Sequence, residues 1–225
     1  MHDAPEPKPP IRLVLVEDDN LFRELMRMAL DALPGITVIA DFRDAETAER
    51  SIPALAPDVV MLDIDLGVDS KNGVQLGLAL RRALPKVGVL LFSNHREPEF
   101  LLSVPPEQAG GWSYLLKTSV QDVETLERAV RGSAKGMVTL DPRLAQHLRS
   151  PLANGSPLSP RQITLLQLMA QGYSNKAIAE RMFLSPKTIE NMIGTLYGDL
   201  GIESSNSETH ARVQATLLYL RHSAS

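Results

Sequence analysis

Four short, continuous apolar segments recur along the first half of the chain, and each one ends in a polar side chain. They cover residues 13–16, 59–62, 87–92 and 114–116, and segments long enough to form helices separate them. Continuous apolar runs of this length are typical of strands in a parallel sheet that helices cover on both faces. In such a sheet, functional side chains gather beyond the carboxyl ends of the strands. The sequence therefore predicts one polar cluster at that edge.

Reactive side chains follow each of the four runs. Glu17 and Asp18 follow the first run, Asp63 the second, Ser93 the third and Lys117 the fourth. A carboxylate can take up a phosphoryl group as an acyl phosphate, but two anions repel each other unless positive charge lies nearby. Carboxylate oxygens are ligands that Mg²⁺ prefers. We therefore predict that Asp63 is a phosphoacceptor and that Glu17 and Asp18 help it to hold Mg²⁺.

The other polar groups at this edge suit the capture of a phosphoryl group. Lys117 is predicted to pair with phosphoryl oxygens, and the Ser93 hydroxyl to donate a hydrogen bond to one of them. A phosphoryl group adds roughly −1.5 to −2 charges, which is enough to attract Ser93 and move the loop that follows it. Tyr114 precedes Lys117 by three residues and is predicted to follow that movement as a rotamer switch.

Each of these residues also has an ordinary structural interpretation. An acidic pair at a strand end is commonly a solvated turn, and an Asp after a strand commonly caps a helix. Ser93 or Lys117 taken alone indicates no function. The functional interpretation depends on position, because all four groups stand at the same place relative to successive strands.

The segments between the apolar runs complete an α/β pattern. With a second strand over 36–40, five strand–helix units predict a flavodoxin-like, doubly wound domain around a five-stranded parallel sheet. The fourth helix is predicted to start near Pro98 and to end at Pro105, so it should be short.

Composition sets a few further limits. The chain of 225 residues is long enough for two modest domains. It contains no cysteine, which excludes disulfides and thiolate metal sites. No apolar run reaches the ~18 residues of a membrane span, and the proline-rich residues 1–10 lack the apolar core of a secretion signal. We therefore predict a cytoplasmic protein that does not cross a membrane.

The last third of the chain has helix signals only. Ser159, Ser174, Ser185 and Ser207 each precede a helical pattern, as N-cap residues do. Two helices joined by a short turn at 183–184 form a helix-turn-helix unit, whose second helix can enter the major groove of DNA. Residues 150–225 carry six Lys or Arg against five Asp or Glu, and the rest of the chain carries 17 against 22. That near-neutral balance is low for a DNA-binding domain.

Residues 11–135 resemble the receiver domain of bacterial two-component response regulators. The resemblance is carried by VLVEDD, VVMLDIDL followed by NG, LLFS and YLLKT, in this order. It implies that Glu17, Asp18 and Asp63 bind Mg²⁺ together with the backbone carbonyl of Asp65. It also implies that a sensor histidine kinase, or a small phosphodonor, phosphorylates Asp63, and that the hydroxyl and the lysine named above respond.

Residues 158–220 resemble the LuxR-type helix-turn-helix of NarL/FixJ-type regulators. The resemblance is carried by LSPR, SNKAIA, LSPKTI and LGI. It implies double-stranded promoter DNA as a partner. Phosphorylation is then expected either to promote a homodimer or to release the helix-turn-helix. Side chains of the helix-turn-helix are then expected to contact the DNA backbone or base edges. The predicted contacts are Lys176, Ser185, Lys187, Thr188, Asn191 and Thr195.

The second helix of that unit departs from the family pattern, in which T-V-K-x-H is usual. Glu190 has the wrong sign for contact with phosphate, Met192 and Gly194 follow it, and Asp199 stands where a Lys is common. Gln162, near the start of the domain, replaces a usual Glu. These departures support an alternative: a phosphorylation-responsive protein-interaction regulator with weakened or absent DNA binding.

A phosphatase is a third interpretation. Asp63-Ile64-Asp65 is a D-x-D motif after a buried strand, as in haloacid-dehalogenase-type phosphatases, where the first Asp is the nucleophile and the second the general acid. That motif normally occupies the first strand and has further acidic residues downstream. Here it lies on the third strand and the acidic pair lies upstream. We therefore predict a switch protein rather than a turnover enzyme.

The predicted organisation has four segments. A flexible arm covers 1–10, the receiver domain 11–135, a linker with a short helix 136–157, and a helix-turn-helix domain of about four helices 158–225. The predicted function is that of a response regulator that controls DNA binding and transcription when it is phosphorylated on Asp63.

Overall fold

The first part of the chain folds into a parallel sheet with helices on both faces. The computed structural model describes residues 9–67, 71–94, 108–119, 122–145, 152–153, 156–202 and 208–221. The strand order is β2-β1-β3-β4-β5-β6. The strands are β1 (Ile11–Val16), β2 (Ile36–Phe42), β3 (Val59–Asp63), β4 (Gly88–Ser93), β5 (Trp112–Leu116) and β6 (Thr139–Leu140). The helices are α1 (Asn20–Asp31), α2 (Ala45–Leu55), α3 (Gly73–Ala83), α4 (Val123–Ala134) and α5 (Pro142–Ala145).

Both faces of the sheet are buried, as the continuous apolar runs predict. Successive residues of a strand point to opposite faces. Val14 and Val16 accordingly belong to one hydrophobic cluster, and Leu13 and Leu15 belong to the other. All four side chains are fully buried. The doubly wound α/β fold class is therefore confirmed.

The sheet has six strands where the sequence predicted five. The additional strand, β6, pairs in parallel with β5 through Ser113↔Thr139 and Tyr114↔Leu140. It lies in the segment that was predicted as linker. Two residues are too few to produce a strand pattern, so this strand depends on pairing with the edge of β5 rather than on its own sequence. A short helix, α5, follows it as expected.

The first helix leaves three large apolar side chains exposed. Leu21, Leu25 and Met28 have helical spacing in the sequence, but these side chains are 55–70% exposed. The buried face instead carries Met26 and Leu30. The fourth helix of the receiver, predicted near Pro98, lies outside the described residues.

The second part of the chain is a small helical unit. Its helices are α6 (Pro160–Ala170), α7 (Asn175–Met182), α8 (Pro186–Asp199) and α9 (Glu208–Arg221), preceded by a two-stranded antiparallel hairpin of β7 (Leu152–Ala153) and β8 (Ser156–Pro157). Ser159, Ser174 and Ser185 cap the first three helices through their side-chain oxygens, as predicted. Within the described residues, no helix is both long and apolar enough to span a membrane.

The two parts contact each other through a cluster that we call the tyrosine clamp, formed by Glu124, Arg128, Tyr173 and Arg181. The guanidinium carbons of Arg128 and Arg181 lie 4.0 and 3.8 Å from the centroid of the Tyr173 ring. Both cations therefore lie against the same aromatic ring. Glu124 of α4 accepts a hydrogen bond from Arg181 of α7 at 3.0 Å. The Arg128 Nε also donates to the carbonyl oxygen of Gln171 at 2.7 Å.

Candidate phosphorylation site and DNA surface

The predicted polar groups lie together at the carboxyl edge of the sheet. β1 pairs with β3, β3 with β4, and β4 with β5, so the ends of these four strands are neighbours. Glu17, Asp63 and Ser93 are buried there, with at most 1% of each residue exposed. Lys117 follows β5 directly, in a short 3₁₀ turn. The parallel topology, rather than closeness in sequence, brings these four residues together.

Lys117 is the centre of the cluster. Its Nζ lies 2.8 Å from Asp63 Oδ2 and 2.9 Å from Glu17 Oε2. Two aromatic rings lie next to the ammonium group: its nitrogen is 4.9 Å from the ring centroid of Phe22 and 5.5 Å from that of Phe92. The ammonium group is therefore held next to the proposed phosphoacceptor by two carboxylates and two ring faces.

Burial controls the protonation of the two carboxylates. Loss of solvent is the main cause that raises the pKa of Glu17 from 4.5 to about 7; the neighbouring charge of Asp63 contributes to this rise, and Lys117 opposes it. Burial also raises the pKa of Asp63 above its ordinary value, against the same lysine. Burial acts to lower the pKa of Lys117, but its bonds to Asp63 and Glu17 outweigh that effect, and its pKa is raised. The cluster thus has a charged ammonium facing carboxylates that lack solvent.

Two contacts fix the backbone on either side of the cluster. A Cβ atom on Gly73 would lie 2.0 Å from the carbonyl oxygen of Asp63, so only glycine lets the start of α3 approach the end of β3 this closely. Arg23 donates to the carbonyl oxygen of Glu17 at 2.8 Å and pairs with Asp41 at 3.2 Å. No sequence motif marks Arg23 or Phe22; their only signal is that they lie in the helix that directly follows the acidic pair.

The acidic residues fit a divalent cation. One carboxylate oxygen from each of Glu17, Asp18 and Asp63 lies within 4.8 Å of the others. Glu17 Oε2 is buried and has no hydrogen bond in the described part of the chain, although the Lys117 ammonium lies close to it. The backbone turns directly after Asp63, where the Asp65 N–H donates to Asp63 Oδ1 at 3.3 Å. Oxygen-only donors of this kind suit Mg²⁺.

Tyr114, the predicted rotamer switch, is fully buried in β5. It belongs to the same hydrophobic cluster as Leu140 and Leu144 of the linker segment. The additional strand β6 covers the edge of the sheet beside it. In this conformation the tyrosine ring therefore lies within the core rather than at the surface.

The predicted DNA contacts are all exposed. They lie on α7, at the cap of α8 and along α8, and the receiver does not cover them in the described residues. Ser185 and Thr188 share a hydrogen bond of 2.8 Å at the start of α8, and Lys187 pairs with Glu190 at 3.3 Å. The exposed positions are Lys176, Ser185, Lys187, Thr188, Asn191 and Thr195.

Two of the departures from the family pattern contact each other. The Gln162 amide donates to Asp199 Oδ2 at 2.5 Å, although 37 residues separate them. Gln162 also accepts from the backbone N–H of Ser159 in the capping box of α6. Asp199 therefore connects the end of α8 to α6 through this hydrogen bond. Its acidic side chain is not evidence of a lost DNA surface.

Family models match both parts of the chain. The model described as response regulator receiver domain matches residues 13–131, and the model described as bacterial regulatory proteins, luxR family, matches residues 156–215. The chain is a NarL/FixJ-type response regulator. The family assignment agrees with the fold and with both sequence resemblances.

Characterised relatives match the regulator over nearly its whole length. The nitrate/nitrite response regulator protein NarP of Escherichia coli is 33% identical, covering 94% of this chain and 95% of NarP. The DNA-binding transcriptional activator DevR/DosR of Mycobacterium tuberculosis is 31% identical, covering 92% and 95%. A solved structure of the response regulator RcsB of Salmonella typhimurium has the same fold, with a TM-score of 0.54, 22% identity and coverage of 95% and 99%. Members of this family act as transcription regulators rather than as classical enzymes.

Proposed function

We propose that the regulator accepts a phosphoryl group on Asp63 from a sensor histidine kinase. The observation that supports this most directly is the contact of the half-buried Lys117 with the buried carboxylates of Asp63 and Glu17, with Nζ 2.8 Å from the Asp63 carboxylate. An Asp63 oxygen would attack the phosphorus atom, and the bond from phosphorus to the imidazole nitrogen of the donor would break. Lys117 would then pair with a phosphoryl oxygen, and Ser93 would donate a hydrogen bond to another.

Mg²⁺ is the proposed cofactor of this step. Glu17, Asp18, Asp63 and the carbonyl oxygen of Asp65 would hold it, and the cation would offset the repulsion between the carboxylate and the incoming phosphoryl group. The chain's own residues provide the rest: Gly73 lets α3 approach Asp63, and Lys117 stands ready beside the acceptor oxygen. The regulator modifies only itself in this reaction and does not turn over a substrate.

Phosphorylation is proposed to control DNA binding by the helical unit. We place the receiver at 11–135, a linker at 136–157 and the DNA-binding domain at 158–225. Two copies of α8 in a homodimer would read two half-sites. DNA and a phosphorylated kinase as partners imply that the protein works in the cytoplasm. The alternative of a regulator that has lost DNA binding has less support, because Asp199 bonds to Gln162 and Glu190 is paired with Lys187.

Replacing Asp63 with Asn is expected to abolish acid-labile phosphate incorporation. The asparagine amide is a poor nucleophile and cannot form the acyl phosphate. The fold should tolerate the substitution because the amide has the shape of the carboxylate. The measurement is labelling of the full chain by radioactive acetyl phosphate with Mg²⁺. Asp58→Asn is the matched control, since Asp58 is exposed at the amino end of β3, on the opposite edge of the sheet from Asp63. Full labelling of the Asp63→Asn variant would refute the assignment.

Replacing Lys176 with Ala is expected to weaken binding to all DNA sequences and to reduce the slope of log K against log salt by ~0.9, because one phosphate contact is lost. Binding would be measured by fluorescence anisotropy on a promoter fragment enriched from genomic DNA by the phosphorylated protein. Lys86→Ala is the control, since Lys86 is exposed at the amino end of β4, on the opposite edge of the sheet from Asp63. An unchanged slope in the Lys176→Ala variant would remove this residue from the DNA surface.

A further inference from the structure

The carboxylate of Asp141 completes the ladder between β5 and β6. In a regular parallel ladder, the N–H of Asp141 bonds the carbonyl of Tyr114 and the carbonyl of Asp141 accepts from the N–H of Leu116. The first bond is present, at 2.8 Å. The second is not, because the Asp141 carbonyl oxygen accepts instead from Leu144 and Ala145 at the start of α5. The Asp141 side chain replaces it, accepting from the Leu116 N–H at 2.9 Å.

The Asp141 carboxylate is fully buried and uses both of its oxygens. Oδ2 accepts from Leu116, and Oδ1 accepts from the N–H of Arg143 at 2.8 Å. A buried carboxylate persists only where hydrogen bonds replace its hydration. Bonds to charged acceptors of this kind are also the stronger ones. The side chain therefore holds the end of β5 and the start of α5 in a fixed relation.

The residue held by Asp141 directly precedes Lys117. The peptide of Leu116 is thus anchored on one side of the lysine, while the Lys117 ammonium bonds Asp63 and Glu17. On the other side of α5, the Tyr219 hydroxyl donates to the carbonyl oxygen of Ala145 at 2.7 Å. Tyr219 belongs to α9 of the DNA-binding unit and is fully buried. Contacts therefore run without a break from the acceptor carboxylate to the last helix.

We propose that Asp141 is a positioning residue for Lys117, and that through it the linker helix α5 responds to the phosphorylation of Asp63. This inference rests on the proposed function, because Lys117 must exchange its bond to Asp63 for one to the phosphoryl group. When the backbone next to Lys117 is fixed, its ammonium group reaches the phosphoryl group in one geometry. Without the Asp141 anchor, the end of β5 loses a hydrogen bond next to the reacting atoms, and the link to α5 is lost.

Two substitutions separate this role from the capping of α5. Asp141→Asn keeps the size of the side chain, but its NH₂ group must face the N–H of either Leu116 or Arg143, so one of the two hydrogen bonds is lost. Asp141→Ser can still cap α5, although its shorter side chain does not reach Leu116. Asp122→Asn is the matched control: Asp122 caps α4 five residues after Lys117, bonding Glu124 and Thr125 of its own helix.

The experiment measures the rate of Asp63 labelling by acetyl phosphate in the full chain, together with Mg²⁺ affinity by calorimetry. Both Asp141 variants are expected to label about tenfold more slowly, with Mg²⁺ affinity unchanged within twofold. A misplacement of ~1 Å can cost about 100-fold, and the loss of one hydrogen bond next to Lys117 should displace the lysine by less. The Asp122→Asn control should label at the rate of the unmodified chain. Hydrogen exchange is measured on the same proteins. Beryllofluoride, used as an analogue of the phosphoryl group, should change the protection of residues 139–145 from hydrogen exchange in the unmodified chain and not in the Asp141 variants.

The outcomes separate the inference from the function on which it rests. If the unmodified chain takes up no phosphate, the proposed function and the inference both fail. If it is labelled and either Asp141 variant is labelled equally fast, the inference alone is overturned. A parallel loss of Mg²⁺ affinity in both Asp141 variants would also overturn it, because it would indicate general damage to the fold rather than a misplaced lysine.

Discussion

Replacing Lys117 with Met is expected to lower the free energy of unfolding by about 3 kcal/mol at pH 8 in metal-free buffer. The substitution keeps most of the apolar stem but leaves Glu17 and Asp63 buried without a counter-charge. Removing one partner from a buried ion pair is costly because the other partner remains desolvated. The loss should be smaller at pH 5, because the raised pKa values of the two carboxyls let them take up protons there.

Urea denaturation of the unmodified chain and the variant at pH 5 and pH 8 measures this effect. Lys71→Met is the matched control, since Lys71 pairs with Glu49 at 2.6 Å on the surface, where such pairs contribute ~0–1 kcal/mol. Adding Mg²⁺ at pH 8 should restore part of the stability that the Lys117→Met variant lost, because a cation would again face the two carboxylates. Equal losses in both variants, or a loss independent of pH, would contradict the proposed electrostatic role of Lys117.

Replacing Glu17 with Gln is expected to stabilise the metal-free fold above pH 7. Unfolding lowers the pKa of Glu17 from about 7 to its ordinary value of 4.5, so the folded state binds protons more tightly than the unfolded state. The contribution of this group to stability is thus fully present below pH 4.5 and is lost as the pH rises through 7. A difference of this size corresponds to about 3 kcal/mol as an upper value, and glutamine removes the dependence because it does not ionise.

The measurement is the free energy of unfolding across pH 4 to 8 in a chelating buffer. The unmodified chain should become less stable relative to the Glu17→Gln variant as the pH rises. Glu24→Gln, which changes an exposed residue of α1, should follow the curve of the unmodified chain. Curves that stay parallel for all three proteins would show that Glu17 is solvated in solution.

The site could be predicted from sequence because its residues stand at the ends of strands. A parallel sheet fixes where strand ends meet, so Glu17, Asp63, Ser93 and Lys117 could be placed together from position alone. The α/β class followed from the same apolar runs. The six-stranded sheet could not be predicted, because β6 is too short to have a pattern and forms by pairing with β5.

Contacts between distant residues were beyond the reach of sequence patterns. Gln162 and Asp199 each appeared as an isolated departure from the family, and only the packing of α6 against the end of α8 shows that they form one pair. Asp141 lies 25 residues from Leu116, and its role depends on the same short strand that the sequence did not reveal. The burial of α1 through Met26 and Leu30 likewise depends on how the helix is rotated against the sheet.

The tyrosine clamp has a consequence for the construction of hybrid regulators. A hybrid that joins this DNA-binding domain to another receiver could be cut at the linker. Here Glu124 and Arg128 belong to the receiver, while Tyr173 and Arg181 belong to the helical unit. A hybrid cut within the linker would keep one half of the clamp and discard the other, leaving Arg128 without the ring and the Gln171 carbonyl that it meets. A hybrid should therefore transfer the DNA-binding domain together with Glu124 and Arg128 of α4, which contact it.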